Sequence, residues 1–249
     1  MTRREEKEQI FLGRWTIEGL DSLLGKSYAP KSSGKRIEFL SGNFLGVQYR
    51  ESTLIGGPAT PEEFVVNLEG VDCFTFLDYI EAMRLSGSFA EFKDNLKKVR
   101  YRSGEIRYED RNHFFTNWHE FNPDRLDDIT GLAGDKKTRS VIRNLNLKED
   151  GTYILMGVRS WKRTLHFIPS GAVDDSVMEK LKTGDYIGIY SEKQGLDVSH
   201  VGILIKKDGT AYLRHASSSE KHRQVVDEDF REYIKDKPGI IVLRPKQIE

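Results

Sequence analysis

The chain has a single cysteine in 249 residues, no excess of charge of either sign, and no long apolar run. Each absence closes a class of explanation. One thiol cannot form an internal disulfide or a cysteine-rich zinc site, so Cys73 is either a small buried hydrophobe or a reactive group. Because 39 acidic residues balance 39 basic ones, nothing in the charge advertises nucleic acid or an acidic membrane surface as a partner. No window approaches the roughly 18 apolar residues that a membrane-spanning helix requires. The start, "MTRREEKEQIFLGRW", is charged and lacks the apolar segment of a secretory signal, which taken alone points to an unexported, cytoplasmic protein. What is present is ordinary: 37% apolar and 31% charged residues, enough to bury one sizeable core or two modest ones.

Ile10, Trp15, Ile17, Leu20 and Leu24 recur at roughly helical spacing and predict an amphipathic helix over residues 5–24, ended by Gly25. From Lys26 to Asn67, Ser-Ser-Gly at 32–34, Gly-Gly-Pro at 56–58 and Pro61 predict loops with few regular elements. "DCFTFLDYIEAMRLSG" predicts a helix capped by Asp72 and terminated by Gly87, which places Cys73 in its first turn on the buried face. A second helix is expected at 89–98. From about residue 152 strands dominate, as "TYILMGV", "DYIGIY", "VSHVGILIK", "TAYLRHA" and "GIIVLR", with short helices near 173–182 and 227–235. Helices followed by an antiparallel run of strands indicate an α+β fold. With no repeat and no clear linker, residues 1–249 read as one domain whose first part, 1–70, is helical and loop-rich.

Two histidines stand in "SHVGILIKKDGTAYLRHAS", residues 199–217. Asp208-Gly209 is a two-residue hairpin signal, so Lys207 should oppose Thr210 and every opposed pair should sum to 417. In that register His200 and His215 project from one face as diagonal neighbours, their backbones roughly 7–8 Å apart. A lone buried histidine is more often a satisfied core residue, and a lone cysteine more often a structural one. Their combination shifts the weight toward chemistry. The free amides and positive dipole at a helix start favour a thiolate; a histidine packed against that end takes the proton, and a third polar group fixes its tautomer.

"VDCFTF" ahead of a helix, then "TGDYIGIY", "SHVGILI" and "LRHAS", resemble the NlpC-type cysteine peptidases and amidases of the bacterial cell wall, a papain-like superfamily. "VDCFTFLDYIEAM", "VRYRSGEIRYEDRNHFFTNW", "DDITG", "GLDVSHVGI" and "GIIVLRP" resemble more closely its N-acetylmuramoyl-L-alanine amidase-like family, from about Tyr49 to Pro245. The resemblance implies a papain-like fold, with the helix that begins at Cys73 packed on a mostly antiparallel sheet. It makes Cys73 the nucleophile, His200 the general base and His215 the orienting third member. Tyr49 resembles the tyrosine whose hydroxyl lies near the oxyanion, although here Gly56-Gly57 follow it by seven residues instead of flanking it.

A substrate-lining insertion is implied at about 100–150. Within "RNHFFTNWHEFN", residues 111–122, Arg111 would pair with a peptide carboxylate, His113 would donate to a carbonyl, and Phe114, Phe115 or Trp118 would stack on a sugar. The plainer alternative makes the aromatics loop anchors and puts Arg111 in an ion pair. No cofactor is implied. No metal is either, since Pro123 stands where an H-E-x-x-H motif beginning at His119 would place its second ligand.

The expected function is hydrolysis of the bond between the lactyl group of N-acetylmuramic acid and L-alanine in muropeptides, with 1,6-anhydro fragments preferred to intact wall. Alternatives are an endopeptidase cutting between D-Glu and the diamino acid of the stem, or a silent module that binds wall fragments. The resemblance implies the periplasm or cell envelope, against the unexported reading of the amino terminus.

Overall fold

The structure, a computed structural model, describes residues 7–29 and 32–247. The helix expected over 5–24, whose first two residues lie outside the described ones, divides in two. Glu8–Phe11 form β1, Gly13 turns the chain at φ +60°, and α1 spans Ile17–Lys26 from an N-cap at Thr16. The strand wins over the helical spacing because it has a partner: β1 runs parallel to a later strand, with Ile10 beside Val66. The Ser-Ser-Gly cluster is not a loop but a helix start. Ser32 accepts from the Lys35 amide and begins α2 (Ser33–Gly42). Gly34 is required there, since a Cβ would lie 2.1 Å from the Thr183 carbonyl oxygen.

Three short strands follow, β2 (Gln48–Tyr49), β3 (Phe64–Asn67) and β4 (Gly70–Val71); β3 is the partner of β1, and β2 pairs with β4 in parallel. They lead into α3 (Cys73–Arg84), whose first turn is closed by a capping box: Asp72 accepts from the Phe74 and Thr75 amides, and Thr75 Oγ1 accepts from the Asp72 amide. From Thr75 to Arg84 every residue of α3 is buried, charged ones included, so each charge carries its own partner. Arg84 forks onto Glu81, which also accepts from the Tyr186 hydroxyl, and Asp78 holds Arg100 of α4 (Phe89–Arg100) at 2.9 Å.

The remaining elements are α5 (Phe115–Glu120), β5 (Leu126–Asp128), α6 (Thr130–Gly134), β6 (Arg139–Leu145), β7 (Trp161–Pro169), α7 (Asp175–Lys180), β8 (Tyr186–Tyr190), β9 (Val198–Lys207), β10 (Thr210–Ala216), β11 (Val225–Asp229), α8 (Phe230–Ile234) and β12 (Gly239–Pro245). Eight of the strands form one sheet in the order β11-β10-β9-β8-β12-β7-β6, with β5 on β12, and all its pairings are antiparallel. The architecture is a mixed α/β fold with a large antiparallel sheet, in keeping with an α+β assignment. "TYILMGV" is not a strand; Asn146, at φ +68°, bonds the carbonyls of Leu155 and Val158 and folds that segment into a loop. The β9–β10 register runs as expected from Thr210 opposite Lys207 to Arg214 opposite Ile203, through a turn with positive φ at Asp208 and Gly209.

Both faces of the sheet are covered. Val201, Ile203 and Ile205 of β9 join the core of α3, around Phe76, Leu77 and Ile80, while Leu204 and Leu213 join Val177, Phe230 and Ile234 on the other side. Among the described residues, no helix is long and apolar enough to cross a membrane.

Candidate active site

Cys73 is the first residue of α3, which packs on β9 and β10, and the Asp72 cap fixes the turn that carries it. His200 comes from the start of β9, where the pairing with β8 slips: Ile189 opposes His200 but Tyr190 opposes Val198, so Ser199 is the extra residue of a bulge. Cys73 and His200 line one cavity of about 110 Å³, together with Phe74, His113, Phe114 and Phe115 on one wall and residues 196–199 on the other. Asp197 ties the walls together. Its carboxylate accepts from the amide and hydroxyl of Thr116 at the start of α5 and from the Val198 amide.

Behind the cavity runs a row of polar groups. His200 Nε2 is 2.7 Å from His215 Nδ1, and His215 Nε2 is 2.8 Å from Glu228 Oε2. Tyr233 of α8 packs against both rings, with centroids 6.1 Å from His200 and 4.9 Å from His215. The thiol is hydrogen-bonded to neither imidazole; Cys73 and His200 share the cavity, not a bond. Such contacts commonly tighten only when substrate arrives.

Electrostatics correct one expectation. Burial, reinforced by the neighbouring Asp72 carboxylate, pushes the Cys73 thiol up to about 12, against the weaker pull of the Val201, Cys73 and Phe74 amides. Burial outweighs what the amides of the helix start offer a thiolate, and the cap adds an anion of its own, Asp72, which holds the Phe74 and Thr75 amides. Burial, with His215 and Lys237 adding to it, takes His200 down to about 3. His215 is lowered by burial too, although Glu228 pulls the other way. At neutral pH the pair is therefore a thiol and a neutral imidazole.

The other expected site residues have mixed placements. Tyr49 sits on β2 opposite Val71, and the charge of a Cys73 thiolate, after burial, is among the causes that raise its hydroxyl pKa; it is not part of the cavity lining. Phe114 and Phe115 are lining residues, though both are buried. His113 also lines the cavity, but its Nε2–H already donates to the Tyr108 carbonyl at 2.8 Å, so it is not a donor to substrate; burial holds its pKa near about 4. Trp118 is corrected from a sugar platform to a core residue: it is 0% exposed, stacked on Phe115 and edge-on to Tyr186. Arg111 is corrected as well. Its guanidinium grips both oxygens of the buried Glu62, leaving the ion-pair alternative as the one observed.

Sequence reasoning missed Glu228, Tyr233 and Asp197. Glu228 is the middle of three consecutive acids, 227–229, with nothing local to single it out; Asp197 had only its place just before the histidine strand. Also missed was Trp161, which lines a small void of about 10 Å³ that shares His113 and Phe114 with the cavity. Arg159 stacks on the Trp161 indole at 3.6 Å.

A family model described as AmiA-like, N-acetylmuramoyl-L-alanine amidase-like, matches residues 39–240. The chain belongs to this family. The matched stretch of this AmiA-like chain contains Cys73, His200, His215 and Glu228. No curated protein matches it. Among solved structures, an N-acetylmuramoyl-L-alanine amidase from Bacteroides uniformis is 30% identical, with a TM-score of 0.72 over 86% of this chain and 99% of that one. A Legionella pneumophila protein, 22% identical, has a TM-score of 0.78 over 93% and 95% of the two chains and shows the shared fold. A candidate xylanase from Bacteroides fragilis is 27% identical, with a TM-score of 0.66 over 82% and 98%. Glycoside hydrolysis of the usual kind needs two carboxylates flanking the bond. The cavity lining holds one, Asp197, and its oxygens are committed to Thr116 and Val198.

Proposed function

We propose that this AmiA-like protein is a cysteine amidase, related to the NlpC-type papain-like enzymes, that cleaves the N-acetylmuramoyl-L-alanine bond of muropeptides, 1,6-anhydro fragments in particular. The observation that carries the reading is the cavity shared by Cys73 and His200, with His200 bonded to His215. The substrate amide carbonyl enters against the sulfur. Because the resting pair is neutral, His200 removes the thiol proton as the carbon–sulfur bond forms, and the same proton passes to the L-alanine nitrogen as the carbon–nitrogen bond breaks. Water then hydrolyses the thioester, its proton again taken by His200. The amides of Cys73, Phe74 and Val201, which favour negative charge at the sulfur, stabilise the developing oxyanion in this reading, with the Tyr49 hydroxyl as a further donor.

A stem peptide brings carboxylates, and the Arg111 expected to receive them is engaged by Glu62. Arg159 takes that role instead: an exposed guanidinium 3.6 Å from the Trp161 ring centroid, with no carboxylate partner among the described residues.

The test is to incubate the protein and its Cys73→Ala variant with defined anhydro-muropeptides and weigh the products. Release of intact stem peptide by the wild type alone is expected. Cleavage after D-Glu would replace the amidase by the endopeptidase, and full turnover by Cys73→Ala would end the thiol mechanism.

A further inference from the structure

The row of rings ends in a carboxylate, and that end governs the nitrogen at the other. Glu228 reaches His215 by the same geometry that joins the two histidines. His215 opposes Val226 across the β10–β11 ladder, so Glu228, two residues further along and on the same face, is its diagonal neighbour. Three adjacent strands thus carry His200, His215 and Glu228 as a slanted row. His215 is 1% exposed, whereas the Glu228 side chain is 32% exposed at the outer end.

A carboxylate only accepts, so neutral His215 donates from Nε2 to Glu228 Oε2 and keeps its lone pair on Nδ1. His200 Nε2, 2.7 Å away, must then donate to that lone pair. With its one proton on Nε2, neutral His200 has a bare Nδ1, and only a bare nitrogen can accept a proton from a thiol. We propose that Glu228 is a positioning residue: acting through His215, it locks His200 in the Nε2–H tautomer and makes Nδ1 the base for Cys73. The role in catalysis rests on the amidase reading above; the tautomer assignment does not.

Other groups face this row without replacing Glu228. From β11, Asp227 is forked with Arg214; from the preceding loop, His222 Nε2 stands 3.8 Å from Glu228 Oε1; from α8 and its exit come the Tyr233 ring and Lys237. Neither His222 nor Lys237 supplies an acceptor to His215 Nε2, so the carboxylate alone imposes the order of protons.

The experiment reads ring nitrogens by NMR on histidine-labelled protein without substrate, then measures steady-state kinetics on muropeptides. Expected in the wild type is the Nε2–H tautomer at both His200 and His215. Glu228→Leu should release that lock, shift the nitrogen signals of both rings, and lower kcat by about tenfold or more with KM little changed. If Glu228→Leu does not fold, Glu228→Met, which has nearly the same length and no oxygen, should give the same shift and the same fall in kcat, whereas Glu228→Gln, whose amide oxygen still accepts from His215 Nε2–H, should keep the wild-type tautomers. A wild-type His200 carrying its proton on Nδ1 would overturn the inference, as would a Glu228→Leu or Glu228→Met protein in which both the tautomers and kcat are unchanged. Failure of the amidase reading shows separately, in product masses.

Discussion

The imidazoles of His200 and His215 meet edge to face, their planes at 89° and their nitrogens 2.7 Å apart, although 15 positions separate them in the chain. The Asp208-Gly209 turn makes this meeting possible, because a hairpin register that is right at the turn stays right along the strands. His200→Ala should lower kcat by about 10²–10⁴-fold. His215→Ala should cost less, and His215→Asn should recover part of that loss, since its side-chain oxygen can accept from His200 Nε2–H. Kinetics on a single muropeptide check this; equal losses for the Ala and Asn variants would argue against an orienting role.

The neutral resting pair has a pH signature. With the thiol near about 12, the thiolate fraction grows tenfold per pH unit through the whole neutral range. Alkylation of Cys73 by iodoacetamide should therefore climb steeply between about pH 6 and pH 9 without a plateau. A rate already flat near neutrality would mean a preformed thiolate–imidazolium pair.

Asp72 both caps α3 and raises the thiol pKa. Asp72→Asn keeps an acceptor for the cap and deletes the charge, so the thiol pKa should fall and alkylation at fixed pH should quicken, with stability changed by less than about 0.5 kcal/mol. Asp72→Ala should lose about 1 kcal/mol by urea unfolding, because the cap goes too.

Gly188 lies under the cavity wall. A Cβ there would sit 2.6 Å from Val198 Cγ1 and 2.7 Å from Phe115 Cδ1, both side chains of cavity-lining residues. Gly188→Ala should cost about 1–3 kcal/mol and displace one wall from the other, raising KM. Unchanged urea unfolding would show that the two walls yield freely.

Arg159→Gln should raise KM for stem peptides with free carboxylates by about threefold to tenfold and leave amidated peptides unaffected. A KM that rises equally for both would assign Arg159 to packing on Trp161.

Local chemistry made α3, its Asp72 cap and the β9–β10 hairpin legible, because each is specified within a few residues: a capping side chain with an apolar helical face, or a turn that demands positive φ. Residues 8–11 misled because their strand depends on β3, more than fifty positions away, and Ser32 misled because a serine beside a glycine marks a helix start as readily as a loop. The aromatic segment 111–118 was legible in composition but not in direction. Which of Arg111, His113 and Trp118 face a cleft is decided by Glu62, the Tyr108 carbonyl and the core around Tyr186.

By itself the amino-acid order determined that one thiol would start a helix and that two imidazoles would share a face of a hairpin, since turns and caps are short-range devices. Only the tertiary structure decided that the thiol rests protonated, that Arg111 is already taken, and that a carboxylate closes the row behind the histidines. Burial depth and long-range partners set those outcomes, and neither is written in any local stretch.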